Sequence, residues 1–215
     1  MGPPRGGWQC SVGNCEIVED QVLQVPTPEL VASFAARFDA DRRYGPADRA
    51  LERLFRQWPL NAELEAVLTK VTVLNSLYST NVFATVDMAE HIRGLSIDDE
   101  LRKGSYSVVD KVARLTAGGK ARRHYSFAAK YCGWHSPEQF PLYDNLVERL
   151  IWQYQKEFTF AAFKRDDLQD YERFAEVISA FRRFFKVEQA SLRSVDKFLW
   201  LSAKTMSLSR LPPER

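Results

Sequence analysis

Apolar residues recur along this chain mostly every three or four positions, a period that predicts a succession of helices. A first helix has Thr27 as its N-cap and Pro28 in its first turn, with Leu30, Val31, Phe34 and Phe38 on one face. Pro46 opens a second in the same way, with Leu51, Leu54, Phe55 and Trp58 inward and Pro59 ending it. A third, capped by Asn61, carries Leu64, Val67, Leu68, Val71 and Leu74, then meets the polar run Tyr78, Ser79, Thr80, Asn81, read as a break or a tight corner. Val82, Val86, Ala89 and Ile92 lead to a fourth closed by Gly94, and a basic helix from about Ser107 to Leu115 is stopped by Gly118 and Gly119. Residues 126–134 form a short helix, and Asp144 caps the next, through Leu146, Val147, Leu150, Ile151 and Tyr154. Two more close the chain, one on Phe174, Val177, Ile178, Phe181 and Phe185, the other on Leu192, Val195, Leu199 and Met206.

No strand pair and no Gly-rich strand-to-helix turn is legible, so the expected architecture is an all-α, multi-helix globule, with Rossmann and P-loop chemistry not indicated. Residues 1–26 read as an N-terminal arm, dense in Gly and Pro over its first nine positions and then extended through EIVEDQVLQV. Residues 27–215 read as the helical domain, either one unit or two closely packed helical subdomains. At 45% hydrophobic content the chain can bury a sizeable core. It has neither an apolar run of about 18 residues nor a secretory leader in its first 25, which points to a cytoplasmic protein with no membrane partner. Cys10, Cys15 and Cys132 make no disulfide framework. Cys132 with His135, Asp87 with His91, and His124 assemble no metal set, so no metal and no cofactor is expected. Cys132 itself reads as a buried, inert thiol.

Charge changes the picture in one place. From Leu101 to Lys130 there are eight basic residues (Arg102, Lys103, Lys111, Arg114, Lys120, Arg122, Arg123, Lys130) against one acid, Asp110, although the whole chain carries only +2. A local positive field of this kind suits phosphate backbones; the plainer reading is a solvated helix face and loop.

The basic cluster runs directly into KARRHYSFAAKYCGWHSPEQFPLYD, residues 120–144, the segment that most reads as a site. Pro141, Leu142 and Tyr143 hold the chain extended before Asp144, and the helix behind supplies free amides and a positive dipole end. Read locally, Asp144 is an N-cap and Lys130 a solvent-exposed helix lysine. Trp134, His135, Phe140 and Tyr143 either stack on an extruded base or pack their loop, and Phe158, Phe160, Phe163, Phe181, Phe184 and Phe185 are core.

The order of these features resembles the helix-hairpin-helix DNA glycosylase superfamily, including its 8-oxoguanine glycosylase-like members. LEAVLTKVTVLNSLYSTNVFATVDMAEHI is similar to that family's helix, polar corner and helix; DKVARL followed by KARRHYSFAAKYCGWHSPEQFPLYDNLVERL is similar to its basic helix, hairpin, lysine-bearing helix and aspartate loop. The resemblance spans residues 60–155 and implies base excision at a damaged or modified base in double-stranded DNA. It implies that Asp144 stabilises the oxocarbenium-like sugar and that Ser79, Thr80 and Asn81 enter the gap left by a flipped base. It implies, too, that Lys120, Arg122, Arg123 and His124 bind phosphate in the hairpin region, with Ser126 beside them. Two departures accompany it. The hairpin's L-P-G-V-G glycines are replaced by ARRHYS, and the family lysine aligns near Ser126, leaving Lys130, one turn on, as the nearest amine for a Schiff base. The rival reading is a non-catalytic helical module binding nucleic acid or protein. A pocket deep enough for one base, between residues 78–81, 120–130 and Asp144, separates the two. A hydrolase pairing Asp144 with His135 ranks low.

Overall fold

The computed structural model describes residues 23–206 of the 215. Cys10, Cys15 and most of the expected arm and extended segment lie outside the described residues. Ten α-helices, one short 3-10 turn and one two-stranded hairpin make up the regular structure among them. In order these are α1 (Pro28–Ala40), α2 (Gly45–Gln57), α3 (Leu64–Tyr78), α4 (Thr85–Leu95), α5 (Asp98–Lys103) and α6 (Ser107–Ala113). Then come β1 (Arg114–Ala117), β2 (Lys120–Arg123), α7 (Tyr125–His135), α8 (Asn145–Phe158), the 3-10 turn (Arg165–Gln169), α9 (Tyr171–Phe184) and α10 (Leu192–Thr205).

The caps explain where several helices begin. The Thr27 side chain accepts from Leu30 N, Asp144 from Leu146 N, Asp170 from Arg173 N and Ser191 from Ser194 N, each satisfying a first-turn amide that the helix cannot. One apolar cluster runs from Val31 to Ala203. Its axis is α7, on which every residue from Phe127 to Trp134 is buried, so the helix shows no polar face at all. α6 packs on one side of α7, α2 and α3 on another, and α10 draws the chain ends together by packing on both α1 and α8.

Four expectations need correction. Gly118 and Gly119 do not merely stop a helix: both take positive φ and turn β1 into β2, with Ala117 opposite Lys120 and Arg114 opposite Arg123. A Gly-Gly pair between two short β-capable runs is a two-residue hairpin signal, and the helical period around it obscured that signal. Gly94 is the penultimate residue of α4, which ends two positions on, at Ser96 in the left-handed region. The helix α5 was not anticipated, its six residues being too few to show a period.

Asn61 does not cap α3; it is buried at the centre of a polar knot. Asp98 accepts from its side-chain amide at 2.6 Å and from its backbone N–H at 3.1 Å, while its carbonyl oxygen accepts from Tyr131 Oη at 2.6 Å and Lys70 Nζ at 2.8 Å. Lys70 is fully buried and also donates to Trp58 O, Leu60 O and His135 Nε2 at 3.1, 2.9 and 3.2 Å. Burial pulls its pKa down to about 8, so at neutral pH the cation is retained against a desolvation cost that those acceptors offset.

The knot ties the α2–α3 connection to α5 and α7, and its removal should therefore be felt globally. Lys70→Met removes the donor shared by Trp58 O, Leu60 O and Asn61 Oδ1 and is expected to lower unfolding free energy by about 3 kcal/mol in urea denaturation. A midpoint unchanged from wild type would show the knot to be energetically idle.

Candidate functional site

The centre of the site follows from helix geometry. Side chains on an α-helix lean back toward its N-terminus, so Lys130 on α7 reaches one turn back to Ser126. Lys130 Nζ donates to Ser126 Oγ at 2.6 Å, to Tyr143 O at 2.6 Å and to Asp144 Oδ2 at 3.2 Å. Lys130 is only 2% exposed and is not the solvent-facing lysine that helix position alone suggests. Its amine arrives beside Ser126, the position at which the sequence resemblance aligns a lysine.

Asp144 is held by two separate partners. One carboxylate oxygen caps α8 at 2.8 Å from Leu146 N, and the other meets Lys130. The loop that delivers it presses on α7 at Gly133, where a Cβ would collide with Leu142 and with the Phe140 carbonyl. Tyr171 Oη fixes Pro141 O at 2.8 Å, and Tyr143 Oη is bound by Glu148 and by Gln169 Nε2. Phe140 and Tyr143 are buried in this packing and Trp134 is buried against Phe55, Arg193 and Tyr78, so none of the three is free to stack.

Lys130 and Asp144 open onto a pocket of about 350 Å³, a size in the range of small-molecule sites. Its walls are aromatic. Tyr44 lies 5.4 Å from Phe38 in a stacked pair, and Trp200 meets both edge-on, at 4.8 Å from Tyr44 and 5.8 Å from Phe38. Tyr78 at the end of α3 faces Lys130, whose Nζ lies 5.4 Å from the ring centre. Arg43 and Lys204 stand at the mouth, each over an aromatic face.

Three carboxylates, Asp48, Asp144 and Asp196, line the same space. Arg193 pairs with Asp48 and, at 3.0 Å, with Asp196, and Lys197 reaches Asp48 at 2.9 Å. Burial raises the Asp196 carboxyl to about 6 against the opposing pull of Arg193 and Lys130. Burial likewise pushes the Tyr78 hydroxyl up to about 12.

The sequence-predicted residues fall into three groups. Ser79, Lys130 and Asp144 line the pocket together, and Ser126 supports the lysine. Thr80 and Asn81 complete the corner: Ser79 and Asn81 both take positive φ, and Asn75 braces the turn through Thr80 Oγ1 and both polar backbone atoms of Val82. Phe83, on the same corner, is 81% exposed, an unusual state for so large an apolar ring.

The hairpin residues lie on β2. Lys120 and Arg122 are exposed and make no ion pair among the described residues. Arg123 is tied to Gln169 O at 2.7 Å and stacked over Tyr125, and burial with the neighbouring Arg122 lowers the His124 pKa. The positive field is weaker than residue counting suggests, because Arg102, Lys111 and Arg114 pair with Asp99, Glu100 and Asp110. His135 lines a different cavity from Asp144, its pKa depressed to about 3 by burial and Lys70, which removes the Asp144–His135 pairing. His91 bonds Lys111 O at 2.9 Å, and Cys132 is a wholly buried thiol with its pKa raised by burial.

Sequence reasoning missed Phe38 as a wall, together with Tyr44, Trp200 and Asp196. A usable signal existed: Asp196, Trp200 and Lys204 recur every four residues as an acid, aromatic and base stripe beside the apolar face of α10.

A family model named HI_0787_N, an N-terminal domain, matches residues 30–139, a span that includes Ser79 and Lys130 and ends before Asp144. An uncharacterized protein of Haemophilus influenzae is 41% identical over 142 residues, covering 66% of this chain and 68% of its own length. No solved structure matches the chain. On the extent of these matches, the chain belongs to the HI_0787_N family.

Proposed function

We propose that the protein excises a damaged or modified base from double-stranded DNA, with Lys130 as an amine nucleophile and Asp144 as its electrostatic partner. The observation that carries this reading is the Lys130 amine, 3.2 Å from Asp144, at the floor of an aromatic pocket large enough for one base. The aromatic residues that line the pocket, Phe38, Tyr44, Tyr78 and Trp200, suit a planar, desolvated ring, and the cations at the mouth suit the flanking phosphates.

The steps balance within this set of residues. Lys130 gives one proton to Asp144 within their ion pair, and its neutral Nζ attacks the sugar C1′ as the glycosidic bond breaks. The bonding pair leaves with the base, which takes up a proton. Nζ, now an ammonium bonded to C1′, loses a further proton to solvent; the nitrogen then supplies the electron pair that expels O4′, O4′ takes the proton held by Asp144, and an iminium joins Nζ to C1′. Having passed that proton on, Asp144 is a carboxylate again and offsets the positive charge of the iminium.

Supporting the same reading, Phe83 is an apolar side chain of the kind that enters a base step during extrusion, on a corner whose other end, Ser79, lines the pocket. Lys120 and Arg122 on the hairpin offer the phosphate contacts that glycine-mediated approach provides elsewhere.

Borohydride reduction of the iminium to a stable amine tests the chemistry. Wild type should be trapped on a duplex carrying an abasic site. Lys130→Arg, which keeps the cation, should give no adduct while still binding, and Asp144→Asn, which keeps the helix cap, should slow base release at least about 100-fold. Absence of any wild-type adduct together with full base release by Lys130→Arg would rule out the amine mechanism.

Lys120→Ala and Arg122→Ala should each weaken duplex binding evenly across sequences and reduce the slope of log affinity against log salt by about 1. A slope unchanged in fluorescence anisotropy would remove the hairpin from the interface. Phe83→Ala should leave thermal stability unchanged and weaken binding to a mismatched duplex by roughly tenfold, within the range for one lost stacking contact; equal affinity would exclude intercalation.

A further inference from the structure

Asp48, Asp144 and Asp196 share one pocket but are not equally held. Asp144 has the Leu146 amide and Lys130. Asp48 has both Arg193 and Lys197. Asp196 has Arg193 alone, at 3.0 Å, and shares that guanidinium with Asp48. It is therefore the carboxylate whose negative charge has the fewest partners.

Its position on α10 adds a direction. Asp196 and Trp200 are one turn apart on the same helix and line the same pocket. A base held in this pocket would meet Asp196 from the α10 side, while Lys130 and Asp144 approach it from α7 and the α8 cap. We infer that Asp196 is a further catalytic residue of the base-excision reaction, a general acid that protonates a ring atom of the departing base. This rests on the base-excision reading. The carboxylic proton moves to the base as the C1′–N bond breaks and its electron pair leaves with the base; the carboxylate so formed is held by Arg193.

The groups that face Asp196 agree with this division. Asp48 on α2 and Asp144 at the α8 cap disfavour its charge, whereas Arg193 on its own helix and Lys130 on α7 favour it; Tyr78 on α3 remains a neutral phenol beside Arg193 at ordinary pH. The carboxyl is raised to about 6, burial being the largest cause, so its acid form is populated near neutral pH.

The test is the pH profile of single-turnover base release from duplexes carrying 8-oxoguanine, uracil or hypoxanthine. Wild type should release base faster as pH falls through about 6. Asp196→Asn, which keeps an acceptor for Arg193, should be slower by about 100-fold and lose that acidic limb, and Asp196→Glu should restore it. A wild-type profile flat through this range overturns the inference even if Asp196→Asn fails to fold. Base release by Asp196→Asn at the wild-type rate and with the wild-type profile overturns the acid role alone, since the enzyme would still be excising bases. No release by wild type from any of the three duplexes overturns both this inference and the reading beneath it.

Discussion

A single ammonium holds the pocket side of this structure together. Lys130 on the largely buried helix α7 has its charge satisfied by one hydroxyl of its own helix and by the carbonyl and carboxylate of two consecutive loop residues, so helix and loop must meet for the lysine to be tolerated there. Unpaired, it would carry a desolvation cost of several kcal/mol. The loop between α7 and α8 is thereby required to come back over its own helix, and Gly133 provides the clearance at the point of closest approach. Fold stability and the candidate chemistry thus share one constraint.

A second lysine shows the contrast. Lys70 is as deeply buried, yet its partners are mainly carbonyl oxygens, and no carboxylate bonds its ammonium among the described residues. Its chemistry is structural. Lys130 differs because a carboxylate that is itself 24% exposed stands between the amine and an open space. What makes a buried amine a candidate for reaction is that combination of an ionic partner and an approach route, which neither burial nor charge supplies alone.

Much of the helical framework was legible from periodicity and caps: Thr27, Pro28, Pro46 and Asp144 all stand at helix starts. Local signals failed where the deciding forces were not local. Asn61 has the residue type and position of an N-cap but is drawn inward by Asp98, Lys70 and Tyr131, the last 70 residues away. Gly94 fits a C-cap by composition, yet the left-handed turn that closes the helix is taken by Ser96, two positions on. At the site, Asp144 and Ser79 could be singled out because loop punctuation marks them. Phe38, Tyr44 and Trp200 could not, since the wall they form is made only when α10 folds back on α1, across more than 150 residues of chain. The basic stretch was overestimated for a related reason: Asp99 and Glu100 lie just outside the window in which charge was concentrated, and they neutralise residues within it.

The four-residue step from Ser126 to Lys130 also sets how this protein can vary across generations. Because the amine is delivered by helical phase and not by a flexible loop, deletion or insertion of one residue between them would swing Lys130 about 100° around α7 and bury its charge against apolar neighbours. Length change is therefore forbidden inside this segment but permitted a few residues upstream, at the Gly118–Gly119 apex, where a Cβ would meet open space. Relatives should differ in hairpin length while preserving the count from that serine position to its lysine.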